Sequence, residues 1–164
     1  MADDFAGETI VLSLLDRLQD DEPNLSRDPP VSRAEELVRL KQAIRRDLEN
    51  LLNARRRSVS WPAHLAELAR SLVNYGLPDL TGLDTGTSES REDLRRTLES
   101  VIRTFEPRFK TVRVHLLDNA EPLDRTLRFR IDGLVSADPV PEPVVYDSTV
   151  EPTVGNLQIR GVKG

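Results

Sequence analysis

Phe105-Glu106-Pro107-Arg108 is the stretch whose reading decides the fold. Before it, Leu94, Leu98, Val101, Ile102 and Phe105 recur at helical spacing; after it, Val112, Val114 and Leu116 alternate with Arg113 and His115. The apolar period therefore changes from 3.6 to 2 across one proline. A proline pushes the residue before it out of the α region, so Glu106 is expected at the end of a helix, with Arg108 opening a strand. An acid and a base on a rigid corner can either lock that corner or reach a partner.

Upstream of the corner the chain reads as helical. Ile10, Leu14, Leu15 and Leu18 have helical spacing and run into Asp20-Asp21-Glu22-Pro23. Pro23 to Pro30 reads as an exposed linker that Pro29-Pro30 stiffens towards extended structure. Ser32-Arg33-Ala34-Glu35 has the form of a capping box. It opens a helix to about Asn53 with the stripe Leu37, Val38, Ile44, Leu48, Leu51 and Leu52, closed by Arg55-Arg56-Arg57 at its negative end. After Trp61-Pro62, Leu65, Leu68, Leu72 and Val73 predict a shorter helix ending at Tyr75-Gly76, where Gly76 suits a left-handed cap and Pro78 bars resumption. Residues 82–88 form a loop, and Ser88 or Ser90 is expected to cap the helix that leads into the corner.

Downstream, Leu127, Phe129 and Ile131 alternate with Arg128, Arg130 and Asp132, and Val144, Tyr146, Leu157 and Ile159 suggest two further strands. Helices first and strands afterwards predict an α+β fold, with N-terminal helices packed on one face of a small antiparallel sheet formed by the C-terminal half. The expected organisation is a short helix and flexible linker over residues 1–31, then one α+β domain over 32–164.

Composition narrows the function. The 164 residues are 38% hydrophobic and 31% charged, with a net charge of −5. Bulk attraction to nucleic acid or to an anionic membrane is not expected from that balance. There is no cysteine, hence no disulfide or thiolate metal site. The acidic start and the lack of a long apolar run predict a soluble, intracellular protein without a signal peptide.

Local motifs carry little chemistry. Asp84-Thr85-Gly86 matches the tripeptide of retroviral-type aspartic proteases, but in a polar loop before a helix an Asx-type turn is the better reading. Asn24-Leu25-Ser26 is a chance sequon. Arg55-Arg56-Arg57 lacks interleaved aromatic residues for nucleic-acid stacking, and reads as a helix terminus able to meet an acidic partner. His115 has no second residue at metal-ligand spacing, and no metal or cofactor is implied.

Two features point to binding. Arg113, His115, Arg128 and Arg130 would share the sheet face turned away from the helices. That face is either ordinary solvated surface or, unless acids arrive from elsewhere, a surface for an acidic partner. The last segment, Val150 to Gly164, ends in a strand whose open edge could accept a strand from another chain, or simply close the sheet. Glu106 is the best candidate for a general acid, yet none of Asp118, Glu121 or Asp132 has a spacing that fixes it as the second carboxylate. The other reading of Glu106 is a charge pair with Arg108 or another arginine.

Four stretches together resemble one family, the type VI secretion baseplate subunits of the TssE type, related to the lysozyme-like wedge protein of contractile phage baseplates. They are Leu14 to Leu18, Ile44 to Arg56, Ser71 to Leu80, and Phe105 to Arg108 followed by the alternating strands and Val145-Tyr146-Asp147-Ser148. The similarity runs from about Leu12 to Gly155, with Ala54 where a threonine is common and Tyr146 where phenylalanine is usual. The resemblance implies a non-enzymatic part of the cytoplasmic baseplate wedge. Its implied partners are TssF and TssG, and it would help to seed and anchor the TssB/TssC sheath. Glu106, Pro107 and Arg108 match the family's Glu-Pro-Arg motif, associated with assembly contacts. Asn74 to Asp79 matches a second signature that shapes a turn. The expected partner-binding residues are thus Glu106, Pro107, Arg108, Arg113, Arg128 and Arg130. The opposing possibility, a peptidoglycan-cleaving hydrolase with Glu106 as its acid, lacks both a placed second carboxylate and an export signal.

Overall fold

The computed structural model describes residues 10, 12–18, 24, 31–57, 60–62, 64–79, 87–118, 126–150 and 157–161. The helices are α1 (Leu14–Leu18), α2 (Arg33–Asn53) and α3 (Ser88–Phe105), with two 3₁₀ turns, Ala66–Arg70 and Leu72–Asn74, between the last two. The strands β1 (Phe109–Leu117), β2 (Leu127–Val135), β3 (Glu142–Val150) and β4 (Leu157–Gly161) form one antiparallel sheet in the order β1-β2-β3-β4. The α+β arrangement expected from the sequence is the one observed. The linker from Pro23 to Pro30, apart from Asn24, lies outside the described residues, as do the Asp84-Thr85-Gly86 tripeptide and most of the sequon.

The helix ends follow from local chemistry. Ser32 caps α2, its hydroxyl accepting from the Glu35 amide while the Glu35 carboxylate accepts from the Ser32 amide, which satisfies two otherwise orphaned donors. For α3 the cap is Thr87, whose hydroxyl accepts from the Ser90 amide, so the expected caps Ser88 and Ser90 lie one and three residues inside the helix. Glu106 ends α3, its N–H still bonded to the Ile102 carbonyl, as the proline after it requires.

The core lies between the helices and one face of the sheet. α2 contributes Leu40, Ile44, Leu48, Leu51 and Leu52, and α3 contributes Leu94, Leu98, Val101 and Ile102. The sheet supplies Val112, Val114, Phe129, Ile131, Val144, Tyr146, Leu157 and Ile159 at alternate positions. Burying each such side chain contributes about 1.5–3 kcal/mol. α3 packs over β1 and α2 over β4, so each edge strand lies beneath one helix.

Two expected helical segments behave differently. Leu65, Leu72 and Val73 are exposed on the 3₁₀ turns rather than lining a helix face, because the chain is redirected by pairing at its end. Leu77 donates to the Ala54 carbonyl and accepts from the Arg56 amide, forming a short parallel bridge with Arg55. Gly76, at φ 103°, makes that return possible, since a Cβ there would collide with the Ala54 carbonyl. In α1, Leu14, Leu15 and Leu18 point outward, while Asp16 points inward. Ile10 precedes this helix and is buried.

Gly133 has a packing role. Its missing side chain leaves the space that the Phe109 ring occupies, beside a slip in the β1–β2 register between Phe109 and Thr111. Gly133→Val is therefore expected to destabilise the fold by about 1–3 kcal/mol through overpacking. Urea unfolding should show a lower midpoint with an unchanged slope. An unaltered midpoint would mean the ring and the glycine do not fit as described.

Candidate functional site

The corner between α3 and β1 is built around one guanidinium group. Arg108 Nε donates to Glu106 Oε1 at 2.7 Å, and its Nη2 also bonds Glu106 Oε2. The Arg108 amide adds a longer bond to Glu106 Oε1 at 3.3 Å. The same Nη2 reaches across to α2, donating to Asp47 Oδ2 at 2.6 Å. Glu106 is buried, and its side chain is only 6% exposed against 20% for Arg108. Burial disfavours the arginine's charge, but hydrogen bonding and attraction from Glu106, then from Asp47, outweigh it and hold its pKa above the usual arginine range.

The network continues through Asp47. Arg46 donates to Asp47 Oδ1 from Nε at 3.2 Å and from Nη2 at 3.1 Å, and its Nη2 also donates to Asp16 Oδ1 at 2.6 Å. Asp16 in turn accepts from the Ser13 hydroxyl. Burial tends to raise the Asp16 pKa, but the bonds from Ser13 and Arg46 win and lower it. The chain Glu106–Arg108–Asp47–Arg46–Asp16 thus ties together the α3–β1 corner, the middle of α2 and the N-terminal α1. This explains the orientation of α1, because its acid, not its leucines, has the partner in the body of the protein.

Beside the network lies a cleft of ≈ 420 Å³, lined mainly by Leu12, Leu51, Tyr75, Phe105, Glu106 and Arg108. Tyr75 and Phe105 meet edge-to-face with centroids 5.4 Å apart, which joins the turn at Asn74–Asp79 to the end of α3. Burial raises the Tyr75 pKa, and the nearby Asp47 and Glu106 charges add to it. Pro107 lies at the corner with its ring exposed.

Chemically this arrangement is a clamp. Both Glu106 oxygens accept from Arg108, and the nearest linked carboxylate is Asp47, on the same guanidinium nitrogen. Asp132, one acid weighed as a second catalytic carboxylate, is in the strand β2 and faces His115 at 3.4 Å. Asp118 pairs with Arg91 at 2.9 Å, and Glu121 lies outside the described residues. Among the described residues no group of three His, Asp or Glu side chains is placed to hold a metal. No helix among them is long and apolar enough to cross a membrane.

The remaining candidates fall on the outer face of the sheet. Arg113 stands opposite Asp132, His115 opposite Arg130, and Arg130 opposite Asp147. Acids do reach this face: Arg130 Nε donates to Asp147 Oδ1 at 2.7 Å and Nη2 to Oδ2 at 3.2 Å. Arg128 occupies the next row, opposite Thr149, and Arg160 lies beyond Asp147 on β4. The face is a mixed charge lattice with basic residues in excess. The sheet edge at β4 is less open than its sequence suggests. Asn53 accepts from the Leu157 amide at 2.8 Å and donates to the Leu157 carbonyl at 2.9 Å, and Arg45 donates to the Ile159 carbonyl at 3.1 Å.

A family model for the baseplate wedge protein gp25 matches residues 38–140, which span most of α2, all of α3, the corner and the first two strands. The chain belongs to the gp25 baseplate wedge family. The family is a structural component of baseplates, and the Glu106-Pro107-Arg108 corner lies inside the matched segment. No curated protein matches the chain. A solved chain from "The baseplate complex from the type VI secretion system" is 21% identical, over 81% of this chain and 100% of that one, with a TM-score of 0.46. That overlap is too loose to add weight to the assignment. In this gp25-family chain, Asp47 and Arg46 escaped sequence reasoning because nothing local marks partners 61 and 30 residues away.

Two outcomes follow for the clamp. Arg108→Met leaves Glu106 buried without its counter-charge and should cost about 3 kcal/mol, measured by urea unfolding; a loss within the ~0.5 kcal/mol typical of surface substitutions would contradict the clamp. Because the Asp16 pKa is lowered on folding, its contribution is present above the unfolded value near 3.8 and is lost as pH falls through the folded value. Asp16→Asn should therefore flatten the stability profile below about pH 4, and an unchanged acid limb would remove Asp16 from the account.

Proposed function

We propose that this chain is a non-enzymatic structural subunit of a type VI secretion baseplate wedge, the counterpart of TssE. In this reading it binds TssF and TssG in the cytoplasm, on a membrane-docked baseplate, and helps to seed and anchor the TssB/TssC sheath. The observation that carries the reading is membership of the gp25 baseplate wedge family over residues 38–140. The type VI assignment within that family rests on the four stretches from Leu14 to Ser148.

The clamp gives the corner a definite part in such a role. Arg108 is turned inward on Glu106 and Asp47, so these charges brace the subunit, and exposed Pro107 is what a neighbour meets. Rigidity at that point is useful in a wedge, because a preorganised surface loses less freedom on binding. The outer sheet face, with Arg113, Arg128 and Arg130 in excess over Asp132 and Asp147, is the surface we assign to an acidic partner.

The reading is tested with Arg128→Glu/Arg130→Glu, which alters the outer face and leaves the clamp intact. In cells lacking the native copy, the wild-type chain should restore fluorescent sheaths and co-purify with TssF and TssG. The variant, although it loses the Arg130–Asp147 pair, should stay folded by circular dichroism and lose both. Normal sheath frequency in the variant would remove the outer face from assembly, and failure of the wild type to co-purify would remove the wedge assignment.

A further inference from the structure

A second cleft, of ≈ 600 Å³, opens along the free edge of the sheet, between α3 and β1. Arg95, Glu99 and Arg103, each four residues from the next, form one stripe of α3 along it. Lys110, Thr111 and Arg113 of β1 form the other wall. The register slip between Phe109 and Thr111 sets Lys110 apart from the ladder with β2, and bulges of this kind re-aim side chains at a sheet rim.

The charges in this cleft do not balance. Its carboxylate, Glu99, is already engaged twice: it accepts from Arg95 Nη1 at 2.5 Å and from the Val114 amide at 2.9 Å. Arg95 is held further by Glu92, through bonds of 2.8 and 2.7 Å. Hydrogen bonds from Arg95, aided by Arg96, pull the half-buried Glu92 carboxyl down to about 2, so this acid is already committed to its own arginines. Arg103, Lys110 and Arg113 are all exposed, and no hydrogen bond or ion pair engages their side chains among the described residues. Three unpaired cations share one concavity in a chain whose net charge is −5. Such a site concentrates anions and steers their approach.

We infer that this cleft docks an acidic stretch of a partner protein, whose carboxylates pair with Arg103, Lys110 and Arg113. The occupant is a polypeptide rather than a nucleic acid, because no aromatic ring lines the cleft for bases to stack on. It is held through its side chains rather than as an added strand, because Glu99 already occupies the Val114 amide of this edge. Arg103 and Lys110 carry no sequence motif; only the packing of α3 along β1 brings them beside Arg113. The inference shares Arg113 with the outer-face surface proposed above, but it needs neither the clamp nor any named partner.

The test is anisotropy of a fluorescein-labelled hexaglutamate peptide titrated with the full chain. Saturable binding is expected, weakening severalfold between about 50 and 300 mM salt as the charges are screened. Arg103→Glu/Lys110→Glu/Arg113→Glu should weaken it at least about tenfold with an unchanged circular dichroism spectrum. If charge reversal perturbs the fold, Arg103→Gln/Lys110→Gln/Arg113→Gln carries the same expectation. Arg39→Glu/Arg57→Glu/Arg70→Glu makes the same change of net charge elsewhere and should leave binding intact. No saturable binding by the wild type, or an equal loss in that control, overturns the site. Tighter binding of a labelled oligothymidylate overturns the choice of polypeptide. Self-association of the chain that the cleft variant abolishes would make the occupant a second copy and overturn the partner proposed.

Discussion

One guanidinium group holds three parts of this protein in register. Arg108 sits three residues past the end of α3 and just before β1, and it faces Glu106 from the helix cap and Asp47 from the middle of α2. Proline at 107 sets the corner's backbone; the ion pairs set where that corner sits against the helix layer. With Glu106 almost fully buried, the arrangement is costly to break from either side, because any rupture leaves an unpaired charge in low dielectric. Arg46 and Asp16 extend the same chain of charges to the N-terminal segment, which Ile10 and Leu12 also hold against the body.

The backbone architecture was legible because local signals agreed. The change of period at Pro107, the Ser32–Glu35 box and the alternation in β1 and β2 each need only a few neighbouring residues to be read. The side-chain partners were not legible. Asp47 is an unremarkable acid on a charged helix, and only folding brings it to Arg108. Leu65, Leu72 and Val73 have a helical spacing that loses to the Ala54–Leu77 pairing, a contact between segments over twenty residues apart. Leu14, Leu15 and Leu18 misled for the opposite reason: a periodic stripe does not say which side of a helix is held, and here Asp16 decides it. Arg113, Arg128 and Arg130 were correctly set on one outer face, but the interleaving of Asp147 requires the β2–β3 register.

The same clamp changes how the corner relates to assembly. The charges of Glu106 and Arg108 are spent inside the subunit, so on the proposed reading the corner would serve a neighbour through the surface it keeps still. The sheet edges follow a similar logic. Asn53 and Arg45 cover backbone groups of β4, and Glu99 covers one on β1, so helix side chains shield both edges from indiscriminate strand pairing. Among the described residues, the outer sheet face, the rim at Pro107 and the basic cleft beside α3 are exposed, and these are the surfaces proposed above for partners.

The most direct measurement of the central claim is a double-mutant cycle between Arg108 and Asp47, using Arg108→Met, Asp47→Leu and the pair, each followed by urea unfolding. If the guanidinium is the common anchor, the two substitutions should couple by at least about 1 kcal/mol, the pair costing less than the sum of the singles. Strict additivity within about 0.3 kcal/mol would show that α2 and the corner are held independently, and would contradict the account.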